Sequence, residues 1–237
     1  MTLRLGLPSK GRLMEDAFAW FADRGIALGR ADGRAYAARS DWDGLEPVLL
    51  SAGEIPRELE AGRIHLGVTG SDLVREKVAR WEERVETLTP MGFGAADVVI
   101  AVPRFWVDVE TLDDLDAACA GFRRTHGHRL RIATKYHRLT RDFLQAAGVA
   151  DYLLVDSQGA TEGAVRGETA EAIADITSTG ETLRANGLKV LRDGLIHASQ
   201  ATLFQSRGAS WGPMERTALA RLGERLGLER AGSGGPT

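Results

Sequence analysis

Apolar and polar positions along the chain switch repeatedly between two periods. Residues 4–7 read as a short buried strand stopped at Pro8, and residues 11–24 then bring Leu13, Met14, Ala17, Phe18 and Phe21 onto one helical face. The step recurs with strands over 47–50 and 64–68, followed by helices over 54–61 and 71–77. A second run begins at Asp97, with strands over 98–102, 130–133 and 152–155 and helices over 112–122 and 140–147. A helix near 161–166, a strand over 170–176, a helix over 181–188, an extended stretch over 188–206 and a terminal helix over 211–228 complete the pattern. Strands alternating with helices in this way predict an α/β architecture.

Two stretches share one order. Residues 55–73 run helix, Gly62, strand, Thr69-Gly70, helix, and residues 161–183 run helix, Gly167, strand, Thr179-Gly180, helix. Any two strand–helix units look somewhat alike, so the repeat alone weighs evenly between coincidence and two similar lobes. Taken as lobes, the first covers residues 1–95 with the return of 189–228, and the second covers 96–188. A ligand is then expected in the cleft where strand ends and helix starts meet. Residues 229–237 are Gly-rich and expected to be a disordered tail.

The chain has 237 residues, 43% of them hydrophobic, which is ample for a sizeable core. A net charge of −3 supplies no global basic field to attract nucleic acid or a membrane surface, so any anion site must be local. Cys119 is the only cysteine, which excludes an internal disulfide and any cysteine-rich metal site and fits a reducing compartment. The first eleven residues lack the basic flank and apolar core of a signal peptide, and no apolar run approaches the roughly 20 residues needed to span a bilayer. These features predict a cytoplasmic protein.

The candidate chemistry concentrates at residues 175–183, where Asp175 and four hydroxyl residues stand at a strand-to-helix junction. Amides at a helix start attract an anion. Thr177, Ser178, Thr179 and Thr182 add hydroxyl donors, Gly180 permits close backbone approach, and Asp175 can accept from sugar hydroxyls. Capping a helix needs one such residue, not four around a glycine, so the pattern favours a sugar-phosphate cradle over an ordinary cap. Residues 6–13 approach a Walker A loop but place Arg12 and Leu13 where Lys and Ser/Thr are required, so they are not a P-loop. A basic turn carrying Ser9, Lys10 and Arg12 remains, as able to bind an anion as to be merely solvated. Arg57 in the first turn of a helix and Arg34 after Gly33 are cations able to grip phosphate bidentately, although most surface arginines do not. His126 and His128 lack a third ligand and are expected in a solvated loop.

Four motifs in order carry a resemblance: Leu7-Pro8-Ser9-Lys10-Gly11-Arg12-Leu13, Ile55-Pro56 with Gly67-Val68-Thr69-Gly70-Ser71-Asp72, Ala133-Thr134-Lys135-Tyr136, and residues 175–186. Together they resemble the ATP phosphoribosyltransferases, the first enzymes of histidine biosynthesis. The resemblance covers roughly residues 2 to 206. It implies a two-lobed fold like the type II periplasmic binding proteins, with the active site in the inter-lobe cleft. It also implies transfer of the phosphoribosyl group of phosphoribosyl pyrophosphate (PRPP) to N1 of ATP, with release of pyrophosphate. Asp175 would take the ribose hydroxyls, and Thr177, Ser178, Thr179, Gly180, Glu181 and Thr182 the 5-phosphate. Lys10, Arg12, Thr69, Gly70 and Asp72 would face ATP, with Arg57, Arg34 and Lys10 as the catalytic cations.

The resemblance also implies Mg²⁺ as cofactor. Ala174 stands where purine-type phosphoribosyltransferases carry a second acid, so Mg²⁺ is expected on the substrate and not on protein ligands. The family's glycine seven residues before the cradle aspartate is Glu168 here, with Gly167 one place earlier, which is expected to shift a turn by a residue and to unsettle Glu162 as a site residue. About 30 residues after Ser206 are too few for a C-terminal regulatory domain, so the chain resembles the family's short form. That form implies a histidyl-tRNA synthetase-like regulatory subunit and a homodimer building block within a hetero-oligomer. The alternatives are a small-molecule sensor of the same shape and a phosphoribosyltransferase for another base.

Overall fold

The computed structural model describes residues 2–30, 38–157 and 161–228. The chain divides into two units, Met1–Gly94 with Gln200–Thr237, and Ala95–Ser199. The first contains β1 (Leu3–Pro8), α1 (Gly11–Ala22), β2 (Leu28–Arg30), β3 (Ala38–Ser40), β4 (Leu45–Leu50), α2 (Ile55–Glu60), β5 (Leu66–Gly70), α3 (Ser71–Lys77), α4 (Trp81–Arg84) and β6 (Val85–Pro90). The second contains β7 (Asp97–Pro103), α5 (Leu112–His126), β8 (Leu130–Thr134), α6 (His137–Ala146), β9 (Tyr152–Asp156), a 3₁₀ turn (Thr161–Gly163), β10 (Ala172–Thr177), α7 (Glu181–Ala185) and β11 (Leu188–His197). The chain then returns to the first unit with β12 (Ala201–Ser206) and α8 (Pro213–Leu226).

Each unit is built on a five-stranded sheet, ordered β4-β1-β5-β12-β6 in the first and β11-β7-β10-β8-β9 in the second. Both contain a parallel trio, β4-β1-β5 and β9-β8-β10, extended by two antiparallel strands. Parallel neighbours require crossover connections, which is why helices or helical turns separate the trio strands in sequence. The repeated order of residues 55–73 and 161–183 thus corresponds to one position in both sheets: β5 and β10 are each the third strand of the trio.

The cores are apolar side chains from those strands and helices. Leu3, Leu5, Leu7, Phe21, Leu66 and Val68 are buried together in the first unit, and Ile100, Leu115, Leu130, Ile132 and Leu144 in the second. On β5, a Cβ at Gly67 would lie 2.7 Å from Ile55 Cγ2 and 3.0 Å from Leu59 Cδ1, so only glycine lets α2 settle this closely on the strand. Helix α5 starts with a capping box in which Thr111 accepts from the Asp114 amide while the Asp114 carboxylate accepts from the Thr111 amide. It carries Cys119 inward, where burial pushes the thiol up to about 12, aided by Asp116 and Asp151. Among the described residues no helix is long and apolar enough to cross a membrane.

The structure revises several expectations. Residues 188–206 do not return whole to the first unit: β11 pairs antiparallel with β7 inside the second, and only β12 returns. The helix expected over 161–166 is a single 3₁₀ turn. The helix expected over 181–188 ends at Ala185, because Gly187 turns left-handed (φ +73°) and buried Leu188 opens β11. Strands β2 and β3 are too short to leave a periodic trace, and β6 has only a partly buried alternation. Glu168 itself adopts φ +56°, a left-handed conformation that favours glycine, with its carbonyl accepting from Arg131 Nη2 at 3.1 Å. The proposed tail, residues 229–237, and the candidate Arg34 lie outside the described residues.

Candidate active site

Strand β10 leaves the core as it approaches its C-terminal end. Ala172, Ile173 and Ala174 are fully buried, Asp175 is half-buried, and Ile176, expected inside, is 44% exposed. The chain then turns sharply. Thr177 Oγ1 accepts the Gly180 amide at 2.8 Å, Gly180 adopts φ +70°, and Ser178 Oγ donates to the Ala95 carbonyl at 2.8 Å. Thr179 Oγ1 accepts the Glu181 amide at 3.3 Å as α7 begins. A hydroxyl that accepts still has its own proton to donate, so Thr177 and Thr179 shape the loop without losing their capacity toward a ligand.

The loop bounds a cavity of about 330 Å³ lined by Glu162, Asp175, Ile176, Thr177, Ser178, Thr179, Glu181, Thr182 and Leu183. Every residue predicted for the sugar-phosphate cradle except Gly180 lines it, and Gly180 forms the turn that closes the loop. Glu162 lines it as well, so the Glu168 substitution does not remove that carboxylate from the site. Burial raises the Asp175 carboxyl above the ordinary aspartate range. The Ile176 amide (2.9 Å from Oδ1), the Thr161 hydroxyl and the Lys135 ammonium pull it back down, and Glu162 pushes it up again. Among the described residues no group of three or more His, Cys, Asp or Glu side chains is arranged to hold a metal.

The candidates of the first unit are arranged differently. Lys10 stands exposed at the start of α1, after a turn fixed by the Ser9 amide donating to the Leu50 carbonyl (2.7 Å) and by the Arg30 guanidinium donating to the Ser9 carbonyl. Arg12 is 91% exposed and pairs with Asp16 one turn on, at 3.5 Å. Arg57 is exposed on α2, with Glu54 at the preceding turn. Thr69 and Asp72, expected on ATP, are buried instead. The Thr69 hydroxyl donates to the Ala52 carbonyl at 2.9 Å and holds the loop before α2, so it is a framework group. Gly70 remains as the turn from β5 into α3.

The sequence matches the HisG family, described as ATP phosphoribosyltransferase, over residues 51–227. It is 66% identical to the ATP phosphoribosyltransferase of Cereibacter sphaeroides, in a match covering 96% of this chain and 97% of that protein. The chain belongs to the ATP phosphoribosyltransferase family. A second member, from Bradyrhizobium diazoefficiens, is 52% identical over 90% of this chain but only 66% of its own length, so this chain spans about two thirds of that relative. The fold is similar to the ATP phosphoribosyl transferase (HisG:HisZ) complex from Thermotoga maritima, with a TM-score of 0.70 at 21% identity, covering 95% of this chain and 97% of that one. It is also similar to a histidine kinase sensor domain that resembles periplasmic binding proteins, with a TM-score of 0.54 at 14% identity, covering 96% and 89% of the two chains. The two-unit α/β architecture is therefore that of the periplasmic binding proteins, used here by an ATP phosphoribosyltransferase.

Three groups that act on Asp175 or on its partner were not assigned as site residues from the sequence: Lys135, Thr161 and Ser157. Lys135 follows β8, the parallel neighbour of β10, and strands running side by side bring their C-terminal ends to one edge. The Ala133-Thr134-Lys135-Tyr136 motif contained it without assigning it a role, and the strand order would have supplied one. Thr161 and Ser157 have no motif signal at all. His126 and His128 pack on Phe122, with ring centroids 4.3 and 5.3 Å away, beside a separate cavity of about 690 Å³ that no cradle residue lines.

Proposed function

We propose that this ATP phosphoribosyltransferase binds the ribose and 5-phosphate of PRPP in the cradle of residues 175–182 and attaches C1 of that ribose to N1 of ATP, expelling pyrophosphate. The observation that carries this reading is the 330 Å³ cavity, in which four hydroxyl side chains stand beside the half-buried Asp175 carboxylate, with Glu162 and Glu181 also in the lining. Hydroxyls and amides suit a phosphate dianion, and the Asp175 carboxylate suits a pair of vicinal sugar hydroxyls. Adenine N1 already carries a lone pair, so the step needs no strong base. Its demands are alignment of the two substrates and stabilisation of charge growing on the leaving pyrophosphate. Lys10, Arg12 and the Gly70 turn are assigned to ATP, and Arg57, Arg34 and Lys10 to the developing negative charge. Mg²⁺ is assigned to the pyrophosphate of the substrate, where it would neutralise the leaving group.

The chain is assigned to the cytoplasm and, as a homodimer, to a hetero-oligomer with a histidyl-tRNA synthetase-like regulatory subunit. One relative of known structure is described as a HisG:HisZ complex, which supports a two-component assembly. The test is product formation by the chain mixed with such a subunit, ATP, PRPP and Mg²⁺. Phosphoribosyl-ATP and pyrophosphate are expected in equal amounts. Absence of both, or equal product with adenine or orotate in place of ATP, would overturn the assignment.

A further inference from the structure

Behind the cradle, away from its cavity, a line of hydroxyls ends on Asp175. Thr161 opens the 3₁₀ turn that packs on β10 and is 0% exposed. Its side chain is not a plain filler, because a hydroxyl without a partner at such depth is costly and valine would fill the same space. Ser157, just past β9, has its amide fixed on the Thr134 carbonyl at 3.1 Å, and its Oγ donates to Thr161 Oγ1 at 2.8 Å. Having accepted that bond, Thr161 has one proton to give, and it donates to the Asp175 carboxylate. The Ile176 amide also donates to Asp175, to Oδ1 at 2.9 Å. An ionised carboxylate offers about four acceptor positions. Two are thus occupied from the protein side, and Asp175 itself lines the cavity.

We propose that Thr161, backed by Ser157, is a positioning residue for PRPP: its hydroxyl fixes the Asp175 carboxylate so that the free lone pairs meet the two ribose hydroxyls together. The inference rests on the PRPP reading of the cradle. It concerns orientation and not chemistry, so its signature is a change in PRPP affinity with turnover kept. Without the Thr161 proton, one carboxylate oxygen loses a buried donor and the group can swivel or hold water in the wrong place. A missing hydrogen bond to a charged group corresponds to roughly a tenfold loss.

Steady-state kinetics of the complete active assembly test this with four variants. Thr161→Val, which keeps the shape and removes the hydroxyl, is expected to raise KM for PRPP about tenfold, with kcat and KM for ATP within about twofold. Thr161→Ser is expected to restore the wild-type KM for PRPP. Ser157→Ala, which leaves Thr161 in place but frees its proton to turn elsewhere, should give a smaller rise and serves if Thr161→Val fails to fold. Asp175→Asn provides the reference. If Asp175→Asn raises KM for PRPP while Thr161→Val and Ser157→Ala do not, the positioning role is wrong and the cradle reading stands. If Thr161→Ser is as impaired as Thr161→Val, packing of the methyl group is what matters and the proposal fails. If Asp175→Asn also leaves KM for PRPP unchanged, the cradle reading itself falls.

Discussion

Asp175 illustrates how a residue can be unfavourable for the fold and still be the one proposed to hold the ribose. Burial lifts its pKa above the unfolded value, so the ionised form lowers stability at neutral pH, and that cost fades as pH falls and the carboxyl protonates. Asp175→Asn should therefore raise the thermal midpoint at pH 7 more than at pH 4, while kcat/KM for PRPP falls about tenfold or more; a variant destabilised at pH 7 would contradict the assignment. Glu168 is strained for a different reason. Its left-handed backbone is disfavoured for any residue with a Cβ, so Glu168→Gly should gain about 1 kcal/mol in denaturant unfolding, whereas Gly167→Ala, at an ordinary φ with only van der Waals neighbours, should change little. That these residues gather at one cavity was legible because four hydroxyl residues around a glycine exceed what a helix cap requires. The burial of Thr69 and Asp72 was not legible, because a motif gives residue types without saying which side of the backbone faces the core.

Helix α2 owes its position to one missing side chain. Gly67→Ala forces a methyl group into Ile55 and Leu59, an overpacking expected to cost about 1–3 kcal/mol and to lift α2 from β5. Because Arg57 rides on α2, turnover should fall with it, in the direction of Arg57→Ala, which is expected to lower kcat more than it raises either KM. A Gly67→Ala enzyme of normal stability and normal kcat would count against this link. Elements with a strong apolar face or a run of buried β-branched residues, such as α1, β7 and β8, could be read from the pattern nearly to their ends. Those set by long-range pairing could not. Strand β11 is extended on either reading of its sequence, and only its ladder with β7 decides which sheet it joins. Helix α7 is cut short by the start of that same strand.

At the scale of the molecule, both sheets share one strand pattern but differ in how the chain supplies them. The second unit is continuous from Ala95 to Ser199, whereas the first needs β12, inserted between β5 and β6 with Leu203 and Phe204 buried. A fragment of residues 95–199 should consequently give a cooperative unfolding transition by circular dichroism, and a fragment of residues 1–94 should not, since its β5 and β6 lose the strand that joins them. Cys119 ties this to experiment. Buried in α5, with its thiol pushed up to about 12, it should react with a disulfide reagent such as dithionitrobenzoate only after unfolding, releasing one equivalent. The folded surface is in effect blank to thiol chemistry. A Thr179→Cys chain would then accept a fluorophore or spin label at the lip of the cradle alone, so that arrival of PRPP could be timed directly, without first removing any native cysteine.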